Sequence, residues 1–452
     1  MEVIQYNDEF LFLPRYECFI KGQINQNMIK KIELHFNENN VNIKYKDIND
    51  FIVKNYDVKK MNFEEIFTNR CGICLTDLCQ LRCNYCAFSS CDNGETIDIN
   101  NIYAYVLHFF KKVKIFNMVN KTNKGVEFYF AGGGEPTYKW EVFQKSIDFI
   151  KKCEEKYNIR ATIGLTTNGV LNNAQRNYIY DNINYVLISF DGTDFFQNKN
   201  RKTFNGKNTF EVVDSTIAFF DNYNFNYEIR STIWLDDFVN IKEMYLFLNE
   251  RYKNLKSWTF GCVMPRGRAI EKETCNINID IAKIYLDMEK FALKNHLKQN
   301  FNFMKFKHQK VGYVCGTSYG LHPWLLPSGS IITCLDGGKK APVIGSIKNG
   351  NIDFRNFNDY IADIYIEKRL NCNNCFAFYH CGAGCPLNNL DSESIKNERY
   401  ECKMIKKYWK TIYNKLLENQ EYLNWKLERH KIDDLEIFTI KEEYNYENKH
   451  SR

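Results

Sequence analysis

The residues best suited to do chemistry are three cysteines in the run Leu78-Cys79-Gln80-Leu81-Arg82-Cys83-Asn84-Tyr85-Cys86. Three residues separate the first pair and two the second, so their thiolates fit one face of a short loop. A cubane iron–sulfur cluster normally takes four protein thiolates, one per iron. Three would leave one iron open to a small-molecule ligand. A three-cysteine zinc site draws on the same residue type, and the loop by itself leaves both chemistries open.

The chain holds 17 cysteines. The N-terminus, Met1-Glu2-Val3-Ile4-Gln5, lacks the basic region and apolar stretch of a signal peptide. No apolar run is long enough to span a bilayer. A cytoplasmic location is therefore expected. Disulfides are rare there, so clustered cysteines read first as metal ligands. They form two groups, Cys71 to Cys91 and Cys315 to Cys402, while Cys18, Cys153, Cys262 and Cys275 are scattered and read as buried small hydrophobes. Hydrophobic residues make up 44%, enough for ordinary cores. The net charge of +6 is mild and interspersed over 452 residues, which argues against a nucleic-acid partner.

Elements must position the first cysteine group. Residues 1–70 precede it, with short strands expected at Val3–Tyr6, Asp8–Leu13 and Glu17–Ile20, then helices over 26–37 and 46–56. From Cys71 to Ala269 strands alternate with amphipathic stretches. The strand candidates are Cys71–Leu78, Gly125–Phe130, Ala161–Thr166, Tyr185–Phe190, Tyr227–Ile233 and Trp258–Val263. Helices are expected over Ile102–Phe116, Trp140–Lys156, 171–181, 208–222 and 239–252. This alternation predicts a parallel sheet with crossover helices, and six strands are too few for a complete eight-stranded barrel. Residues 271–310 read as a helical bridge, with Ile279 to Leu297 amphipathic, and a long helix is expected from Lys403 to Arg429.

The predicted strand ends carry short motifs. Ala131-Gly132-Gly133-Gly134-Glu135-Pro136-Thr137 closes the second strand, where glycine lets backbone approach a ligand closely. Thr166-Thr167-Asn168-Gly169 closes the third and Ile188-Ser189-Phe190-Asp191-Gly192 the fourth. The fifth carries Arg230-Ser231-Thr232, whose Arg fork suits a carboxylate. Met264-Pro265-Arg266-Gly267-Arg268-Ala269 closes the sixth. Together with the cysteine loop, this ordered set resembles the radical S-adenosylmethionine (SAM) superfamily. The resemblance implies an α/β fold, with a partial (β/α)6 barrel over 71–270 and its active site at the C-terminal ends of the strands. It implies a 4Fe–4S cluster on Cys79, Cys83 and Cys86, whose open iron chelates the amino and carboxylate groups of SAM. One electron then cleaves SAM to methionine and a 5′-deoxyadenosyl radical. Tyr85 would lie beside the adenine, and Gly133, Gly134, Glu135 and Pro136 at the SAM amino group. Thr167 and Asn168 match the family's T(T/S)NG. Ser189 and Asp191 would face the ribose, Arg230 would pair with SAM, and Gly267 would sit near the adenine. Cys71, Cys74 and Cys91 flank the loop and read as inward-facing small residues rather than ligands.

The second cysteine group runs Cys315-x13-Gly329-x4-Cys334, then Cys372-x2-Cys375-x5-Cys381-x3-Cys385 and, after 16 more residues, Cys402. This pattern is similar to the SPASM domain, the Cys-rich C-terminal extension of radical SAM peptide and protein maturases, placed here over 311–410 with a helix and tail over 411–452. Paired zinc ribbons are the competing reading. The resemblance assigns Cys372, Cys375, Cys381 and Cys402 to a distal 4Fe–4S cluster and Cys315, Cys334 and Cys385 to a nearer one, three clusters in all. Sulfatase-maturing relatives place an eighth cysteine just upstream. Here Lys305-Phe306-Lys307-His308-Gln309-Lys310 has none, leaving an open iron or His308 as a fourth ligand.

The reading that follows is a peptide maturase that modifies a ribosomally made peptide, with a thioether from a Cys sulfur as the expected product. Residues 1–70 resemble, in architecture, the winged-helix module that grips a leader peptide. The partners expected are a precursor peptide and an external one-electron reductant such as flavodoxin or ferredoxin. The alternative is a sulfatase maturase that makes formylglycine, for which Asp336, two residues after Cys334, would be the base. A non-enzymatic iron–sulfur or zinc scaffold is the third reading.

Overall fold

The computed structural model describes residues 68–90, 93–263, 267–269, 281–295, 322–335 and 341–354, together with short strands elsewhere and residues 402, 406, 407 and 410. The chain divides into two compact units, one of 1–60, 306–315 and 361–452, the other of 61–305 and 316–360. In the first unit β1 (Ile4–Gln5), β2 (Phe10–Leu13) and β3 (Cys18–Lys21) pair antiparallel in order. A strand from the far end of the chain, Glu436–Thr439, runs parallel to β3. The three N-terminal strands fall where the alternation of apolar residues places them, and the polar C-terminal tail supplies an unforeseen fourth. The helices expected over 26–37, 46–56 and beyond Lys403 lie largely outside the described residues.

In the second unit the six expected strands are present. They are β4 (Arg70–Ile73), β5 (Val126–Phe130), β6 (Ala161–Thr167), β7 (Tyr185–Ser189), β8 (Tyr227–Ile233) and β9 (Trp258–Cys262). Each pairs parallel with the next, so sheet order equals chain order. That singly wound order is the one a (β/α) barrel uses; a doubly wound sheet reverses part-way. The crossovers are α1 (Ile99–Asn120), α2 (Trp140–Tyr157), α3 (Asn173–Asn182), α4 (Asp194–Asn200) with α5 (Phe210–Asn222), and α6 (Ile241–Arg251). The seven-residue α4 is missing from the sequence reading because it is too short to show periodicity.

Local chemistry fixes the ends of these helices. Asp98 caps α1 by accepting from the Asn100 amide at 2.9 Å, and Lys121 closes it in the left-handed region at φ 50°. Asn172 and Gln175 form a reciprocal capping box at α3. The helix stripes bury themselves on one face of the sheet. Ile102, Val106, Phe109, Phe110 and Val113 of α1 are fully buried, and Phe110 meets Phe128 of β5. Phe143 of α2 meets Phe130. Each such side chain contributes about 1.5–3 kcal/mol. The other face alternates with it: Tyr129 stacks on Tyr185 and bonds Thr166, while Ser189 and Arg230 lie side by side in register.

Two features of the sheet go beyond the sequence reading. Within residues 271–310, α7 (Ile281–Lys294) is followed by β10 (Phe301–Asn302), which adds a seventh parallel strand beside β9. At the opposite edge β11 (Trp324–Leu325) pairs parallel with β4, and β12 (Ser330–Ile332), β13 (Val343–Lys348) and β14 (Asn351–Phe354) continue antiparallel. The sheet therefore has eleven strands. The physical reason is the free edge of β4, whose unpaired backbone groups need partners. The strands between Trp324 and Phe354 thus share a sheet with the barrel strands.

Candidate functional site

The strand expected over Cys71–Leu78 ends early, at Ile73, and the chain turns into the cysteine loop. Cys79, Cys83 and Cys86 are partly exposed free thiols, not disulfides. The loop is held along both halves. Its first half runs beside residues 200–204: Arg82 N–H donates to Lys202 O at 2.8 Å, Phe204 N–H to Gln80 O at 2.9 Å, and Asn84 N–H to Asn200 O at 3.0 Å. The Trp234 indole adds bonds to Asn84 Oδ1 at 3.3 Å and Asn200 Oδ1 at 3.2 Å. Its second half meets the turn Gly267–Ala269, where Arg268 N–H donates to Cys86 O at 3.1 Å.

Two of the three sulfurs have polar neighbours. The Leu81 amide donates to Cys79 Sγ at 3.4 Å and the Asn168 side chain approaches the same sulfur at 3.7 Å. Ser90 Oγ lies 3.6 Å from Cys86 Sγ. Burial, with Glu135 nearby, pushes the Cys79 thiol up to about 12, and Cys83 and Cys86 add to the rise. Burial pushes Cys83 up to about 11 against the pull of Arg201. Thiols that repel one another's ionisation stand close together, and a bound cation would reverse that repulsion. Among the described residues no three His, Cys, Asp or Glu side chains are placed to hold one metal ion. A cubane asks something different, one thiolate for each of three irons. The donor set and its amide and hydroxyl neighbours fit such a cluster.

The glycine-rich end of β5 packs on the stem of this loop. Gly134 N–H donates to Thr76 O at 2.7 Å and Glu135 N–H to Leu78 O at 2.8 Å. A Cβ at Gly134 would overlap the Leu78 carbonyl, and one at Gly133 the Cys74 sulfur. These glycines are therefore required first by the cysteine loop itself. Pro136 opens a short 3-10 turn. The buried Glu135 carboxylate accepts from Thr167 Oγ1 at 2.8 Å, Thr137 Oγ1 at 2.7 Å and Asn168 N–H at 2.7 Å. Burial raises its pKa and these bonds oppose the rise. The ends of β5 and β6 are thereby locked together.

Asp191 was expected at the ribose. It is 1% exposed and its oxygens are taken: it accepts the Tyr85 hydroxyl, pairs with Arg201 at 3.0 Å and accepts the Thr232 amide at 3.1 Å. Tyr85 is likewise buried, with the Arg201 guanidinium 5.3 Å from its ring centre. Both side chains anchor the loop to the ends of β7 and β8. Ser189 and Arg230 stand on the open face, Arg230 exposed. Gly267 sits against the Cys86 and Ala87 carbonyls. Cys71 and Cys74 are buried and donate to backbone, Cys71 to Glu127 O at 3.4 Å and Cys74 to Gly132 O at 3.2 Å. Cys334 follows β12 and Cys402 is helical. Cys91, His308, Cys315, Asp336, Cys372, Cys375, Cys381 and Cys385 lie outside the described residues, as do Met264–Arg266.

Residues 73–249 match the family model of the radical SAM superfamily. Those residues form a radical SAM domain. That match and the sulfatase-maturating relatives indicate an enzyme, which removes the scaffold reading. It is 22% identical over 359 residues to the cysteine-type anaerobic sulfatase-maturating enzyme of Clostridium novyi (strain NT), spanning 75% of this chain and 93% of that one. Its fold is similar to native anSMEcpe with bound AdoMet, with a TM-score of 0.60 and 20% identity over 77% of this chain and 98% of that chain. It is also similar to Streptococcus suis SuiB bound to the precursor peptide SuiA, with a TM-score of 0.51 and 14% identity over 89% and 99%. No helix among the described residues is long and apolar enough to cross a membrane.

Sequence reasoning missed Arg201, Arg268, Ser90 and the pair Asn84–Asn200 around the radical SAM loop. Arg268 stood inside a quoted motif, but its partners lie 178 and 185 positions away and leave no local signal.

Proposed function

We propose that this radical SAM enzyme modifies a ribosomally made peptide and joins a Cys sulfur of that peptide to a carbon. Cys79, Cys83 and Cys86 would hold the 4Fe–4S cluster, and SAM would lie over the open face between Ser189 and Arg230. When bound, the cluster and SAM together supply a 5′-deoxyadenosyl radical able to take hydrogen from an unactivated carbon. The chain's own residues orient and exclude. Arg230 offers an exposed fork to a carboxylate, and Ser189 a neighbouring hydroxyl. Glu135, Thr167 and Asn168 keep the rim in one conformation. Tyr85, Asp191 and Arg201 fix the loop from below. The second cysteine group would hold two auxiliary clusters, and residues 1–70 would grip a leader segment.

One observation carries the choice of a peptide substrate: the likeness to SuiB, a protein described with its precursor peptide, extends over 89% of this chain, against 77% for anSMEcpe. The sequence similarity to the Clostridium novyi enzyme favours formylglycine formation as the second reading. The test is anaerobic incubation with SAM, dithionite and a Cys-containing peptide encoded beside the gene. Formation of 5′-deoxyadenosine with a peptide that has lost two hydrogens and kept its sulfur is expected. Loss of the sulfur points to formylglycine, and an unaltered peptide overturns the substrate assignment.

A further inference from the structure

The turn Gly267–Ala269 closes on the cysteine loop from the end of β9. Gly267 has φ +53°, and a Cβ there would overlap the Cys86 and Ala87 carbonyl oxygens. The Arg268 amide donates to Cys86 O at 3.1 Å. Its guanidinium donates to Cys83 O at 3.0 Å and to the Ser90 carbonyl. Ala269 is fully buried with Tyr85 and Val263, and Cys83 packs against them. Two of the carbonyls belong to ligand-bearing residues, Cys83 and Cys86. A carbonyl held in place fixes the ψ of its own residue, and with it the direction of the Cα–Cβ bond that carries the sulfur. The third carbonyl belongs to Ser90, whose hydroxyl faces Cys86 Sγ at 3.6 Å. One planar fork thus spans the segment between the second cysteine and that hydroxyl.

We propose that Arg268 is a positioning residue for the iron–sulfur site. Its fork clamps the Cys83 and Ser90 carbonyls, and its permanent charge favours the more negative, one-electron-reduced state of the bound cluster. The proposal rests on the assignment of Cys79, Cys83 and Cys86 as ligands. A lysine there keeps the charge but offers a point cation on a flexible stem, which cannot reproduce two fixed bonds. Cluster potential responds to local charge, so the two roles separate by substitution.

The experiment compares Arg268→Lys and Arg268→Gln in the full chain after anaerobic reconstitution with iron and sulfide. Two quantities are measured: the rate of iron loss to a chelator, and the midpoint potential of the EPR signal that changes when SAM is added, titrated with dithionite. Both variants are expected to lose iron about 10- to 100-fold faster, the size typical of losing an outer-shell partner. The potential is expected to fall in Arg268→Gln and to stay near the parent value in Arg268→Lys. Parental iron retention in both variants overturns the proposal, as does a parental potential in Arg268→Gln. Thermal unfolding of the apoprotein reports folding. Should Arg268→Gln unfold, Gly267→Ala keeps the cation and displaces the turn from Cys86 O, and parental retention there overturns the clamp. A SAM-responsive signal that survives replacement of Cys79, Cys83 and Cys86 by Ala overturns the ligand assignment instead, which keeps the two failures distinct.

Discussion

Cys71 and Cys74 stand a few residues before Cys79, Cys83 and Cys86, yet the two sets meet opposite environments. Cys71 lies in β4 and Cys74 just past its end, both almost wholly buried, and their thiols act as donors to backbone carbonyls. The later three stand on a loop, partly exposed, with an amide and an asparagine close to Cys79 Sγ and a serine close to Cys86 Sγ. A thiol among acceptors is held protonated and serves as a small hydrophobe. The loop thiols are also pushed up by burial, to about 12 at Cys79 and about 11 at Cys83, so they become thiolates when a bound cation offsets that cost. Where the strand stops is what divides the two sets.

Replacing Cys79, Cys83 and Cys86 by Ala is expected to abolish 5′-deoxyadenosine formation from SAM under reducing, anaerobic conditions. Cys71→Ala and Cys74→Ala are expected to keep it and to cost about 1 kcal/mol of stability each. Undiminished SAM cleavage in the triple variant, or its loss in either single one, erases the contrast.

The second test asks what holds the loop in place. Asp191 is expected to act through Tyr85 and Arg201. Asp191→Ala leaves the buried Arg201 without its counter-charge, a change that costs about 3–5 kcal/mol. Chemical denaturation of the apoprotein should show that loss. A change below about 1 kcal/mol would mean that the pair is solvated and does not anchor the loop.

The smallest effect concerns pH. Burial pushes Cys71 and Cys74 well above the ordinary thiol value of about 9. Above that pH the unfolded chain releases protons that the folded chain retains, so unfolding becomes easier as pH rises. The stabilisation is fully present below about pH 9 and is lost on the alkaline side. The apoprotein of the Cys71→Ala, Cys74→Ala double variant should show a shallower alkaline decline in denaturation midpoint than its parent. Parallel profiles would show that neither thiol is desolvated in solution.

The sequence by itself determined the six parallel strands, five of their crossover helices and the loop that carries the three thiols. Those features depend on periodicity and spacing, which are local. It also placed the motif ends of β5, β6 and β7 in the right order, because a singly wound sheet brings successive strand ends to one rim. It could not show that β4 would recruit residues 324–325 to its free edge, since strand pairing across some 250 residues leaves no trace in a local window. Nor could it divide the roles of the motif residues. Asp191 and Gly134 carry family motifs, yet the fold gives the first to Tyr85 and Arg201 and the second to the Leu78 carbonyl. Only tertiary structure decided that, because a buried carboxylate takes whatever donors packing brings within reach, and a backbone approach is set by the element on the other side.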